Sequence, residues 1–173
     1  MRATRPVVFL MLALTLFLSP AVHAERLFGT VVDVSDGDTI RINAQGIHKI
    51  RLKGIDAPEM SQPFGSESRQ HLVELTFLKR VAAECPERDH YGRLICTLYV
   101  TDPDCKDPWC ALEYDVNLAQ LEASQAWWYR KFAREQTEEQ RRRYESAERL
   151  AQARRVGLWS DPGAMPPWEW RRR

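Results

Sequence analysis

Three short stretches and one isolated arginine carry residues suited to joint chemistry: Asp36-Gly37-Asp38-Thr39, Asp56-Ala57-Pro58-Glu59, Tyr91-Gly92-Arg93, and Arg51 between the first two. Taken singly, each has an ordinary reading. Turns favour Asp and Gly, a strand arginine faces solvent, and Asp-Ala-Pro-Glu is an acceptable loop exit. Taken together they are more specific. Asp38 at the start of one strand and Asp56 at the end of the next can lie side by side. With a nearby main-chain carbonyl they form an oxygen-rich pocket for a hard cation such as Ca²⁺, which takes 6–8 oxygens. Glu59, three residues beyond Asp56, can orient or deprotonate a water. Arg51 and Arg93 offer planar forks that match phosphate oxygens. A cation, a base and two guanidinium groups are what phosphodiester hydrolysis requires.

The elements that must position these residues are short. Residues 27–34 are apolar and β-branched and end at a turn. Thr39 to Asn43 and Ile47 to Ile55 alternate, which predicts a three-stranded antiparallel meander. A helix is expected from Ser66, its cap, through Leu78, followed by strands Arg80–Cys85 and Leu94–Val100. Residues 101–115, rich in Asp, Pro and Cys, read as a pinned loop. Helices are expected over Asn117 to about Phe132 and after Thr137, where Thr137-Glu138-Glu139-Gln140 fits a capping box and Gly157 supplies the stop. In the second, Tyr144, Ala147, Leu150 and Ala151 form one core-facing stripe. This order predicts an α+β fold, a five-stranded OB-type β-barrel with about three helices, the runner-up being a sandwich with the same strand order.

The whole chain of 173 residues is 44% hydrophobic and 28% charged, which excludes a disordered tail, a collagen-like fibre and a multi-span membrane protein. Arg2 and Arg5 precede the apolar run Val7 to Leu18, and Val22-His23-Ala24 offers a small-residue exit: a secretory signal over 1–24. The run is too short to span about 30 Å of hydrocarbon as a helix. One domain is expected over 25–160, followed by a Pro/Trp/Arg-rich tail over 161–173 that docks on the surface without forming an element. Residues 25–129 hold 11 basic and 17 acidic groups, and residues 130–173 hold 12 and 7. An acidic body with a basic end suits a site that holds a cation and meets an anion. On charge alone, however, Arg141-Arg142-Arg143 and Arg171-Arg172-Arg173 read as solvated surface. Four cysteines in an exported chain predict two disulfides. Of the three possible pairings Cys85–Cys96, within one hairpin, is favoured, with Cys105–Cys110 closing a small loop. Zinc lacks paired Cys-x-x-Cys spacing.

The stretches DGDTIRI (36–42), IRLKGIDAPE (50–59), YGR (91–93) and AQARRVGLW (151–159), in this order, resemble the staphylococcal nuclease (thermonuclease) family. The resemblance runs from about Phe28 to Trp159. It implies an OB-type barrel, calcium carboxylates at Asp38 and Asp56, a carbonyl ligand at Ala57, a general base at Glu59 and phosphate-binding arginines at Arg51 and Arg93. Asp36 would neighbour the metal, and Tyr91 would lie by the nucleotide's phosphate and sugar. Trp128 and Tyr129, beside Trp127, are approximate counterparts of the base-stacking tyrosines. The implied reaction is cleavage of DNA and RNA, single strands favoured, by water attack at phosphorus with release of the 5′-oxygen. Three departures bear on substrate preference: a short loop Met60–Gly65, His90 in place of a lysine, and the extra segment 101–115. A monomer with no stable membrane association, periplasmic or extracellular, is expected. The alternative is a non-catalytic OB module that binds nucleic acid or protein, although such a module has no need of all five charged groups.

Overall fold

The computed structural model describes residues 26–107 and 109–173; the expected signal segment lies outside them. The elements are β1 (Arg26–Val34), β2 (Thr39–Asn43), β3 (Ile47–Leu52), β4 (Ile55–Asp56), α1 (Gly65–Thr76), β5 (Arg80–Arg88), β6 (Leu94–Thr101), β7 (Leu112–Asp115), α2 (Val116–Glu122), β8 (Trp127–Trp128), α3 (Glu138–Arg154) and α4 (Pro167–Trp170). Short 3-10 segments at Arg130–Glu135 and Gly157–Ser160 flank α3.

The predicted meander is present: β1–β2 and β2–β3 are antiparallel, with Thr39 opposite Arg51 and Ile40 opposite Ile50. β1 also pairs with β5, and β5 with β6. A parallel pairing of β3 with β6 joins the two ends of this run, so β1-β2-β3-β6-β5 close into the five-stranded barrel that the strand pattern implied. β7 extends the sheet beyond β6, so the last residues of the 101–115 segment, expected to be loop, are strand. Alternation along each strand sends Val31, Ile40, Ile42, Ile50, Leu52, Val81 and Leu98 inward, where all are fully buried. α1 and α2 cover the barrel, Leu72 and Leu121 contributing to the same core.

Both expected disulfides are present. Cys85–Cys96 ties β5 to β6 beside a bulge that accommodates Pro86, a residue unable to donate to a ladder. Cys105–Cys110 closes the loop before β7.

Four local expectations are corrected. Ser66 does not cap α1: the helix starts at Gly65 after Phe64 in a left-handed conformation (φ 67°), while the Ser66 hydroxyl donates to Glu67. The reason is crowding, since a Cβ at Gly65 would lie 2.1 Å from the Glu59 carbonyl oxygen and only glycine fits. Second, the helix expected over 117–132 ends at Glu122. Ser124 turns left-handed (φ 60°), and the bulky, β-favouring Trp127-Trp128 pair forms a short strand against Ile55-Asp56. Third, the capping box at Thr137 forms as expected and Tyr144, Ala147 and Ala151 are buried, but Leu150 stays 50% exposed, and the helix stops at Arg154 with Arg155, not Gly157, as its left-handed cap (φ 51°). Fourth, the tail does form an element: Pro167 opens a single helical turn, α4, and is itself buried.

Candidate active site

Local geometry at the β1–β2 junction follows from Gly37. A Cβ there would fall 1.9 Å from the Ser68 hydroxyl and 2.8 Å from the Ala57 Cβ, so α1 and the Asp56-Ala57 strand can pack directly onto the turn. Asp36 accepts from the Asp38 amide (3.0 Å), the buried Gln120 donates to the Gly37 carbonyl (2.7 Å), and the Asp38 Oδ2 accepts from the Ala57 amide (3.1 Å). The last bond joins the two acidic stretches, 19 residues apart, side by side. Asp56 is held from its other side, because its backbone pairs with Trp127 in the β4–β8 ladder.

Arg51, near the end of β3, bridges the two carboxylates: its Nη2 lies 2.5 Å from Asp56 Oδ1 and 3.2 Å from Asp38 Oδ2. Burial works against its charge, but Asp38 and Asp56 outweigh that and raise its pKa. Asp36 and Asp56 are each pushed up to about 6, first by burial and then by the Asp38 charge. Three acids packed this closely make a local excess of negative charge that favours a cation.

Arg93 comes from the β5–β6 hairpin and is oriented by Asp89, a residue the sequence reading did not single out. The Asp89 Oδ1 accepts from the amides of Tyr91 (3.0 Å) and Arg93 (2.8 Å), and its Oδ2 accepts from Arg93 Nε at 2.7 Å. Burial opposes ionisation of Asp89, but these bonds win and lower its pKa. Its spacing of four from Arg93 was the available signal.

A cleft of about 660 Å³ is lined by Asp38, Arg51, Ala57, Glu59, Tyr91, Arg93 and Tyr129. Seven of the nine proposed site residues thus share one concavity. Asp56 lies just behind its wall, fully buried. Trp128 is not brought to it: the ring is 6% exposed in the core, its indole nitrogen donating to Gln136 (2.9 Å) with Arg130 over its face. Tyr91 is 75% exposed at the rim.

The tail supplies what the sequence reading missed. Arg171, read there as solvated surface, reaches into the cleft. Its Nη2 lies 2.6 Å from Asp56 Oδ2 and its Nη1 2.6 Å from Glu59 Oε1. Trp168 stacks on Tyr129 with centroids 5.1 Å apart and planes 6° from parallel. No local pattern announces contacts spanning more than a hundred residues. Among the described residues no group of three His, Cys, Asp or Glu side chains forms a metal cluster. The candidate donors for a cation are instead the Asp38 and Asp56 carboxylates, which Arg51 and Arg171 engage in this structure, and the Ala57 carbonyl, a hard oxygen set of the kind that suits a divalent ion completed by water or substrate.

A family model described as "Staphylococcal nuclease homologue" matches residues 49–161. The chain belongs to the staphylococcal nuclease family. It is 39% identical to "Micrococcal nuclease" of Shigella flexneri over 83% of this chain and 80% of that protein. It is 40% identical to "Protein ParB" of Escherichia coli over 93% and 87%, and 31% identical to an "Uncharacterized endonuclease" of Haemophilus influenzae over 97% and 86%. The chain is accordingly a nuclease, a phosphodiesterase whose substrate is nucleic acid, on the OB-type barrel of a metal-dependent family. Among the described residues no helix is long and apolar enough to cross a membrane.

Proposed function

We propose that the protein is an exported, monomeric, Ca²⁺-dependent nuclease that hydrolyses phosphodiester bonds of DNA and RNA, single strands preferentially. The observation that carries this reading is the shared cleft: an acidic pair, a third carboxylate and two arginines from four separate chain segments line or back one concavity. Asp38, Asp56 and the Ala57 carbonyl are the proposed Ca²⁺ ligands, and the bound ion would polarise a phosphoryl oxygen and neutralise charge developing on it. Glu59 takes a proton from water as the water oxygen bonds to phosphorus. The phosphorus–O5′ bond breaks, and the 5′-oxygen leaves and is protonated from solvent. Arg51 and Arg93 hold the equatorial oxygens through charge-assisted hydrogen bonds. Tyr91 and Tyr129 contact the nucleotide, and an aromatic face such as that of Tyr129 favours unstacked bases, hence single strands. Trp128 supports β8 from the core. Two disulfides support export to the periplasm or beyond, with the signal over 1–24, the nuclease domain over 25–160 and the tail over 161–173 as the proposed organisation.

The decisive experiment is cleavage of denatured DNA and of RNA by purified protein with Ca²⁺, then with excess EGTA. Cleavage that stops in EGTA and returns with added Ca²⁺ is expected. Cleavage that persists in EGTA rejects calcium.

A further inference from the structure

Two features of the tail converge on the reaction centre by different chemistry. Arg171 lays a guanidinium across Glu59 and both oxygens of Asp56, sharing Asp56 Oδ1 with Arg51. Trp168 lies flat on Tyr129, as a base would. The approach is built into the fold. The buried Gln62 donates to the Met165 carbonyl (2.5 Å), Pro167 is buried, and Pro166 and Pro167 restrict the backbone that leads into α4.

We propose that residues 161–173 form an autoinhibitory strap that mimics the bound state, Arg171 standing where a cation would neutralise the carboxylates and Trp168 where a base would stack. Arg171 and a divalent ion carry the same sign and compete for the same Asp56 oxygens, so each excludes the other. Binding of the ion therefore drives the strap off, and by reciprocity the docked strap weakens ion binding. The Arg171 side chain is 42% exposed while the Asp56 carboxylate beneath it is fully buried, so the strap opens when another cation takes over the Asp56 oxygens. This inference rests on reading Asp56 and Glu59 as reaction-centre carboxylates.

Calorimetric Ca²⁺ titration of the full protein and of its Arg171→Gln variant tests it, together with hydrogen exchange of the 161–173 peptide. Arg171→Gln should bind Ca²⁺ roughly three- to tenfold more tightly, since the binding-competent fraction rises. In the unsubstituted protein, Ca²⁺ should accelerate exchange across 161–173. Trp168→Ala, which frees the Tyr129 face, should bind oligothymidylate more tightly in Ca²⁺-free buffer. Equal or weaker Ca²⁺ binding by Arg171→Gln overturns the strap, as does tail exchange indifferent to Ca²⁺. Weaker oligonucleotide binding by Arg171→Gln at unchanged Ca²⁺ affinity makes Arg171 a phosphate grip and also overturns it. Absence of Ca²⁺ binding by both proteins instead rejects the calcium reading, and the strap with it.

Discussion

Glu59 owes its position to main-chain packing more than to its own side chain. Its carbonyl rests against Gly65 and accepts from the Gln62 amide at 2.8 Å, which fixes the start of the short loop that follows it. Glu59→Gln keeps that main-chain geometry, removes the basic oxygen and weakens the ion pair with Arg171. We expect kcat to fall by about 10²–10⁴ with little change in thermal unfolding; a loss under tenfold would remove Glu59 from the role of base. Asp89 acts one step away, through Arg93. Asp89→Ala should lower kcat/KM about tenfold by freeing the Arg93 fork, whereas Asp89→Asn should recover part of the loss, because the amide oxygen can still accept from the two hairpin amides. Steady-state kinetics of the two variants, with circular dichroism as a check on folding, separates positioning from simple loss of structure.

At the scale of elements, the β5–β6 hairpin presents Arg93 and is stapled by Cys85–Cys96 at the point where Pro86 interrupts the ladder. Replacing both cysteines should cost about 2–4 kcal/mol in chemical denaturation; an unchanged midpoint would show that the bridge adds nothing to the folded state. Much at this scale was legible in the residues. Alternation exposed the meander, and Thr137 with Gln140 announced the start of α3 through two reciprocal bonds. The β4–β8 bridge was not legible, since two-residue strands have no period to detect, and Trp127-Trp128 fits a helix as well as a strand until its partner is known. The candidate site divides in the same way. Asp38, Arg51, Asp56, Glu59 and Arg93 lie in turn and strand signatures that local chemistry can rank. Arg171 sits in an arginine run whose composition describes a wet surface, and only the three-dimensional path of the tail shows otherwise.

The whole molecule places a second buried polar centre between barrel and helices. Tyr144 on α3 is buried and donates to both carboxylate oxygens of Asp115 at 3.3 Å, in the residue that also caps α2. Burial pushes the Tyr144 phenol well above its usual pKa near 10, and the Asp115 charge adds to that. Tyr99 is pushed up to about 12, by burial first and then by Glu84. Raised acids of this kind hold their protons longer in the folded state than in the unfolded one. Their contribution is complete below about pH 10, where the unfolded chain begins to ionise, and is lost as pH rises through the folded values. Unfolding free energy should therefore decline between pH 10 and 12. The slope should be shallower in Tyr144→Phe by up to about 1.4 kcal/mol per pH unit, with Tyr99 sustaining the remainder. Identical slopes in the two proteins would place the alkaline weakness elsewhere.

The seam that closes the barrel has one more implication. Along β3 and β6, Ile50 faces Leu94 and Arg51 faces Ile95, so Arg93 lies just before the first pair of the ladder, the one that holds Arg51's neighbour Ile50. A single inserted or deleted residue on either side would rotate every later side chain to the opposite face and part the two guanidinium groups, even if the barrel still shut. Natural length variants of this protein should therefore tolerate gaps in the connection between β6 and β7, and none between 47 and 52 or between 93 and 97.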